Sequence, residues 1–472
     1  MRRLLEPICL AVVAVAQLAL FTRLLTTAYD FDEGVYLLAL EALRSGQQLG
    51  TDVFAAQPPA FYWLLRSIAA TIGEHGERVR LGIALLSLLG TAGAWFLARC
   101  VAGPAAGVLA AALLTIAPPV PLFAARILAD LPSLWLALAA LGLGALAGRR
   151  DSSTAAAAAG VVAVLAVATK VAAAITIPVL VVVLLAGGGR RARRLSLAAA
   201  GAAVAAAAIL LANAGAIDEL WAGVVTYHRQ AGATPAVIDR WASIRDLFNP
   251  RTPELWLIVV GVVVFAIRVV RRKARPAEVA LWAWAAAAFA ALATYAPLHY
   301  NHLVALPIPL VVAAATSLGA QVAAAPRRRQ TMAVAVLAVV IAAGYAQQWR
   351  RVAIAGERQT RREVAAAEAL RRVTRPGELV AVDVPVSAVL AGRPVPGPLV
   401  DTAYLRFETK SLTPERVLAE IDRWCVAAVV AGRAFADEPV VMRGLRQRFA
   451  TASPAAGATV FSQRRRACET RP

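Results

Sequence analysis

The sequence predicts an α-helical polytopic membrane protein of about eleven transmembrane helices, followed by a small C-terminal α/β domain. Three observations predict it. The 472 residues are 60% hydrophobic, with a mean hydropathy of +0.64, against about 45–50% apolar in ordinary soluble domains. The excess is gathered into long Ala-, Val- and Leu-rich runs, each near the length that crosses a bilayer core. From about Arg350 the pattern changes to charged amphipathic helices alternating with short apolar strands, the pattern of an α/β layer.

The first span runs from about Leu4 to Leu24. Others follow near Val79–Ala98, Pro104–Ala117, Leu131–Ala147, Ala155–Ala168, Val171–Ala186 and Leu195–Leu211. The last four lie near Leu255–Val270, Ala277–Tyr295, Leu303–Ala323 and Met332–Ala346. Met1-Arg2-Arg3 before an apolar run looks like a secretory signal. It has no small-x-small cleavage site and further spans follow, so it reads as an uncleaved first helix.

Charge gives the orientation. Net charge is +20. Arg2-Arg3, Arg149-Arg150, Arg190 through Arg194, Arg271-Arg272-Lys273 and Arg327-Arg328-Arg329 all fall on one side under this count. Basic residues in short loops mark the cytoplasm. One span more or fewer would split the clusters between sides. The expected protein is thus multi-pass in the plasma membrane, with a cytoplasmic N-terminus and an extracytoplasmic C-terminal domain. A nucleic-acid partner is not expected, because no soluble basic patch with aromatic or motif support accompanies the charge.

The domain division expected is 1–349 for the membrane part and 350–472 for the α/β part. An external loop, 26–78, carries two interfacial helices. Val35 to Leu43 is amphipathic and ends near Gly46. Pro58-Pro59 opens the second, Ala60 to Ala70, with Tyr62 and Trp63. In the tail, Glu363–Val373 reads as a helix, Leu379–Val384 as a strand and the stretch capped by Thr413 as a helix through Trp424. Cys425–Val430 reads as an apolar strand, Glu438–Phe449 as a helix and Thr459–Ser462 as a last strand. Cys425 and Cys468 could pair if both are exported. Cys425 sits in an apolar run, which favours a buried thiol. No CxxC or Cys/His cluster has zinc spacing, and no GxGxxG suggests a nucleotide.

The chemically dense stretch is Tyr29-Asp30-Phe31-Asp32-Glu33-Gly34-Val35-Tyr36. Carboxylates beside a span are costly unless they face water or do chemistry. They could form an acidic helix start favoured by the helix dipole, or one could act as a general base with another positioning it or binding a metal. Also on the external side are Arg80, Arg126, Asp130, Lys170, Arg229 and Pro297-Leu298-His299-Tyr300-Asn301-His302. Arg126 and Asp130 are four apart and could pair across a helical turn. Lys170 could snorkel or meet an anion. His299 and His302 could be structural or could hydrogen-bond a phosphate or sugar.

One ordered series runs through the first external loop. It comprises Asp32-Glu33-Gly34-Val35-Tyr36, Leu43-Arg44-Ser45-Gly46, Asp52-Val53-Phe54, Gln57-Pro58-Pro59-Ala60-Phe61-Tyr62-Trp63 and Arg80-Leu81. It resembles the first external loop of the GT-C polytopic glycosyltransferases, in the branch of the protein O-mannosyltransferases and lipid A aminoarabinose transferases. The resemblance is specific over Asp30–Leu81, looser over Arg126–Pro132, Lys170 and His299–Pro309, and absent from the tail.

That resemblance implies an inverting transferase that takes a sugar from a polyprenyl-phosphate donor at the outer leaflet. The acceptor would be a lipid, a glycan or a protein. Asp32 would be the catalytic base, with Glu33 supporting. Asp30, Tyr36, Gln57, Arg80, Arg126, Asp130, Lys170, His299, Tyr300 and His302 would bind substrate. No cofactor is implied, and a divalent cation is left open. Aminoarabinose transferases usually place lysine before the Pro-Pro pair. Here it is Gln57, whose neutral amide cannot supply charge to a phosphate, which points to a different donor or to another cation. Two other readings compete. A secondary transporter would show inverted repeats and midplane charges, whereas the charges here crowd the outer ends. A non-catalytic membrane scaffold of the same fold would share every feature.

Overall fold

The computed structural model describes residues 2–233, 239–355 and 359–465. The chain forms two compact units. The first comprises 1–26, 67–212 and 236–356, and the second 27–66, 213–235 and 357–472.

The first unit is helical. Among the described residues, eight helices are long and apolar enough to cross a membrane, beginning with Glu6–Leu24, Gly76–Ala102 and Asp130–Arg150 and ending with Arg327–Ile354. Shorter apolar helices at Pro104–Ile116, Ser153–Thr169 and Val171–Leu185 accompany them. Each run read from the sequence as a span has its helix. The long ones differ in burial. Only 6% of the Arg327–Ile354 window is buried, against 83% for Tyr300–Ala324, so the former presents its Val and Ile side chains outward.

Small residues let the helices approach closely, as membrane helices require in the absence of a hydrophobic drive between them. A Cβ on Gly160 would fall 1.9 Å from the carbonyl oxygen of Ala198, and one on Gly201 would fall 2.2 Å from that of Ala157. The central Asp130–Arg150 helix packs Trp135 onto Gly90 and bonds Trp135 Nε1 to Ser87 Oγ at 3.1 Å.

At one end of this bundle, arginines tie neighbouring helices together. Arg99 bonds Glu6 at 2.8 Å. Arg149 donates to the carbonyls of Arg99 and Cys100, and Arg275 to that of Val101. Buried Arg194 bonds Asp151 at 3.0 Å. Arginines here cap the last carbonyls of neighbouring helices, where a cation is favoured by the helix dipole. Arg80, Asp130 and Lys170 lie at the opposite helix ends.

The second unit is built around a four-stranded sheet of order β1-β2-β4-β3. Its strands are β1 (Val380–Val382), β2 (Ala428–Ala431), β3 (Phe449–Ala455) and β4 (Ala458–Arg464). β1 and β2 are parallel, with Ala381 opposite Val429, and β4 is antiparallel to both β2 and β3. β1 and β2 are buried along their whole length, which their Ala/Val composition allows. Around the sheet lie helices Arg361–Val373, Pro385–Ala391, Pro414–Arg423 and Pro439–Arg448. Thr413 caps the third by accepting from Arg416 N at 3.3 Å.

Two expectations are corrected. β3 is an additional strand, paired to β4 through Ala456-Gly457, both at positive φ (46° and 85°), a two-residue hairpin turn. Its Pro454 and exposed face suit an edge strand. Cys425 is disulfide-bonded and exposed rather than a buried thiol. It sits at φ 52° in the turn before β2, so the apolar run begins after it. Cys468 lies outside the described residues.

Candidate active site

The acidic segment opens the helix Phe31–Arg44. Asp30 is its N-cap. Its Oδ1 accepts from Glu33 N at 2.8 Å, and Glu33 Oε2 accepts from Asp30 N at 3.2 Å. This reciprocal capping box satisfies two otherwise orphaned donors. Glu33 is fully buried, whereas Asp32 is exposed. The neighbouring acids thus differ in setting: Asp30 and Glu33 close the helix start, and Asp32 presents its carboxylate at the surface of the unit.

Tyr36, one turn further, is buried edge-on against Phe61 at 4.8 Å and against Tyr62 at 6.3 Å. Tyr62 is wholly buried. Gln57, half-buried, precedes the helix Pro59–Thr71. The loop before it is held by His228 Nε2 on the carbonyl of Ala56 at 2.7 Å and by Phe54 against Tyr227 at 5.5 Å. The Arg406 guanidinium lies 3.8 Å over Phe54. Burial pulls that guanidinium down to about 10, against the opposing pull of Asp401, so it stays a cation at neutral pH. Burial raises the Asp401 carboxyl.

In the helical unit, a second cluster forms where Ser153–Thr169 breaks. Lys170 ends that helix and leads into a 3-10 turn, Val171–Thr176. Its Nζ bonds Asp130 Oδ1 at 2.6 Å, with both side chains nearly buried. Asn301 Nδ2 donates to Asp130 Oδ2 at 3.0 Å. His302 contacts Tyr295 at 4.8 Å and His299 at 5.4 Å, and accepts from His299 N on Nδ1. Asp130, Lys170 and His302 form the polar end of a cleft whose other walls include Ile175, Trp284 and Leu292. Asp130 therefore pairs with Lys170 and not with Arg126, the partner the four-residue spacing offered. Arg126 sits with its guanidinium 5.8 Å from the Phe123 ring. Tyr300 is 59% exposed. Arg80 is fully buried and donates from one nitrogen to the carbonyls of Leu24 and Leu25, both at 3.2 Å, so it caps the first helix. Among the described residues, no group of three or more His, Cys, Asp or Glu is placed to hold a metal ion.

A family model described as dolichyl-phosphate-mannose-protein mannosyltransferase matches residues 56–213. No curated protein sequence matches the chain. Among solved structures, ArnT from Cupriavidus metallidurans in the apo state is similar with a TM-score of 0.69 at 16% identity, over 95% of this chain and 96% of that one. The same protein bound to undecaprenyl phosphate gives 0.70 at 16%, over 96% and 97%. The archaeal oligosaccharyltransferase AglB from Archaeoglobus fulgidus, with an inhibitory peptide and a dolichol-phosphate, gives 0.58 at 13%, over 98% and 75%.

The chain has the GT-C fold.

Within this GT-C chain the candidate residues fall into two sets. Asp30, Asp32, Glu33, Tyr36 and Gln57 lie in the unit with the sheet, and Arg80, Arg126, Asp130, Lys170, His299, Tyr300 and His302 in the helical unit. The sequence did not single out Asn301, Asp401 or Arg406. Asn301 stands between the candidate Tyr300 and His302, so its position was visible while its bond to Asp130 was not. Asp401 is one carboxylate after the apolar stretch Val395–Val400, the signal that could have found it.

Proposed function

We propose that this protein is an inverting glycosyltransferase. It moves a sugar from a polyprenyl-phosphate donor to a lipid, glycan or protein acceptor at the outer face of the membrane. The observation that carries this is the setting of Asp32. Of the three acids at this helix start, it alone is exposed. The GT-C fold along nearly the whole chain supports it, as does the likeness to a transferase-fold protein bound to undecaprenyl phosphate.

Asp32 takes the proton from the acceptor hydroxyl as that oxygen attacks the anomeric carbon. The carbon–oxygen bond to the lipid phosphate breaks on the opposite face, so configuration inverts. The departing phosphate carries the electron pair and needs fixed positive charge or hydrogen-bond donors. In the helical unit, Lys170 and His302 at the polar end of the cleft are the candidates for these donors, and the cleft's apolar walls suit a polyprenyl chain. Gln57 contributes an amide where related enzymes carry a charge. Basic helix ends in the cytoplasm would put the acids outside.

Asp32→Asn tests the reading. Transfer from a radiolabelled polyprenyl-phosphate sugar pool should fall by about 10²–10⁴-fold, the usual weight of a general base. The fold should persist, because the side chain is exposed. Full activity in this variant would remove Asp32 as the base.

A further inference from the structure

Asp32 lies in a short segment, Tyr29 to Gly34, held at three points by the C-terminal part of the same compact unit. At Tyr29, the backbone N–H donates to Gln359 Oε1 at 3.0 Å and the carbonyl accepts from Gln359 Nε2 at 3.3 Å. At Phe31, the Arg433 guanidinium stands 5.0 Å over the ring, with Tyr404 at 5.5 Å. At Gly34, a Cβ would meet Val386 N at 2.8 Å and Pro385 Cβ at 3.0 Å. Only a residue without a side chain lets the two backbones approach so closely. These points flank Asp32 on both sides.

The Arg433 contact is itself preset. Asp383, fully buried just after β1, accepts from the N–H groups of Gly432, Arg433 and Phe435 at 2.5–2.9 Å. A buried carboxylate is costly unless so satisfied, and here the bonds fix the loop that aims Arg433. Gln359 is fixed in turn, because it precedes Thr360, the N-cap of Arg361–Val373, and bonds Glu363.

We propose that the C-terminal α/β domain is a clamp for the catalytic segment. Gln359, Arg433 and the Pro385–Val386 backbone are positioning elements that hold the start of the Phe31–Arg44 helix, and Asp383 acts through Arg433. The clamp rests on the reading of Asp32 as base. Holding a reacting group in place before substrate arrives lowers the barrier rather than tightening binding, and a displacement of about 1 Å costs up to about a hundredfold in rate.

The test is the double variant Gln359→Ala/Arg433→Ala of the full chain in lipid nanodiscs. Hydrogen exchange is read at the amides of Asp30, Glu33 and Gly34, each bonded within the cap. Exchange there should rise at least about tenfold, with the β2 and β4 amides unchanged. In transfer assays kcat should fall about ten- to a hundredfold at constant KM. Arg433→Lys, which keeps the charge but loses the planar stack, should fall between. Unchanged exchange at the cap overturns the clamp. Faster exchange with unchanged kcat overturns its role in positioning Asp32. If wild-type protein transfers no sugar, the transferase reading fails, and the exchange measurement still decides the clamp. If the double variant also loses protection in the sheet, Gln359→Ala and Arg433→Lys singly carry the same test, since both leave the Asp383 loop intact.

Discussion

Replacing Lys170 by methionine should weaken the helical unit by about 3 kcal/mol. The pair it makes with Asp130 is 2.6 Å long, and the residues are 9% and 7% exposed. Removing one partner of a buried pair typically costs about 3–5 kcal/mol, because the other charge is left uncompensated. Asn301 still donates to the second oxygen of Asp130, which keeps the carboxylate from being wholly orphaned and places the loss at the low end. Methionine retains most of the lysine stem, so little packing is lost. A double-mutant cycle isolates the pair. Asp130→Asn alone strands the ammonium, whereas Lys170→Met/Asp130→Asn leaves no charge. The double variant should therefore lose less than the sum of the singles, by roughly 2 kcal/mol, within the range of contacting pairs. Denaturant unfolding in detergent, with helicity as the probe, measures each corner. Additive losses, or a loss below about 1 kcal/mol in Lys170→Met, would refute the view of this cluster as a buried, interdependent pair.

On the reading of about eleven spans after a cytoplasmic start, a reporter fused after Arg350 should be active only outside the cytoplasm; cytoplasmic activity would overturn the proposed orientation of the acids too. Asp30→Ala removes the cap of the Phe31–Arg44 helix and should cost about 1 kcal/mol, seen as a lower denaturation midpoint, with Asp30→Asn largely restoring it. For Asp422, burial would raise the carboxyl, but Arg448 and Arg464 outweigh it and hold it below its ordinary value. The unfolded chain then binds the proton first. The stabilisation is full above the unfolded value of about 3.9 and is lost as pH falls below it. Asp422→Asn should flatten the fall in melting temperature of the α/β unit below about pH 4.

Much of the fold is legible in the sequence because its signals are local. An apolar run is long or it is not, and arginine clusters sit at its ends wherever the helices pack. The acids before Val35 already describe a helix start, although the helix begins earlier, at Phe31, and Pro58-Pro59 describes another. The edge strand β3 is less legible. Its polar, Pro-containing sequence has no apolar alternation, and pairing with β4 supplies what propensity does not. Cys425 misled because the apolar strand was read as starting at it, whereas it lies in the turn before β2.

The site divides along the same line. The sequence alone determined the residue types and their order: acids after the first span, Gln57 before the proline pair, a lysine at a helix break, histidines before a late span. Tertiary structure decided which partner each charge takes. Asp130 had Arg126 four residues away, yet it bonds Lys170 and Asn301, 40 and 171 residues distant. Arg80 is turned onto the carbonyls of Leu24 and Leu25. Gly34 proves indispensable only once Val386 is against it. A buried charge takes whatever partner packing brings within hydrogen-bond reach, and packing joins segments that sequence spacing does not relate.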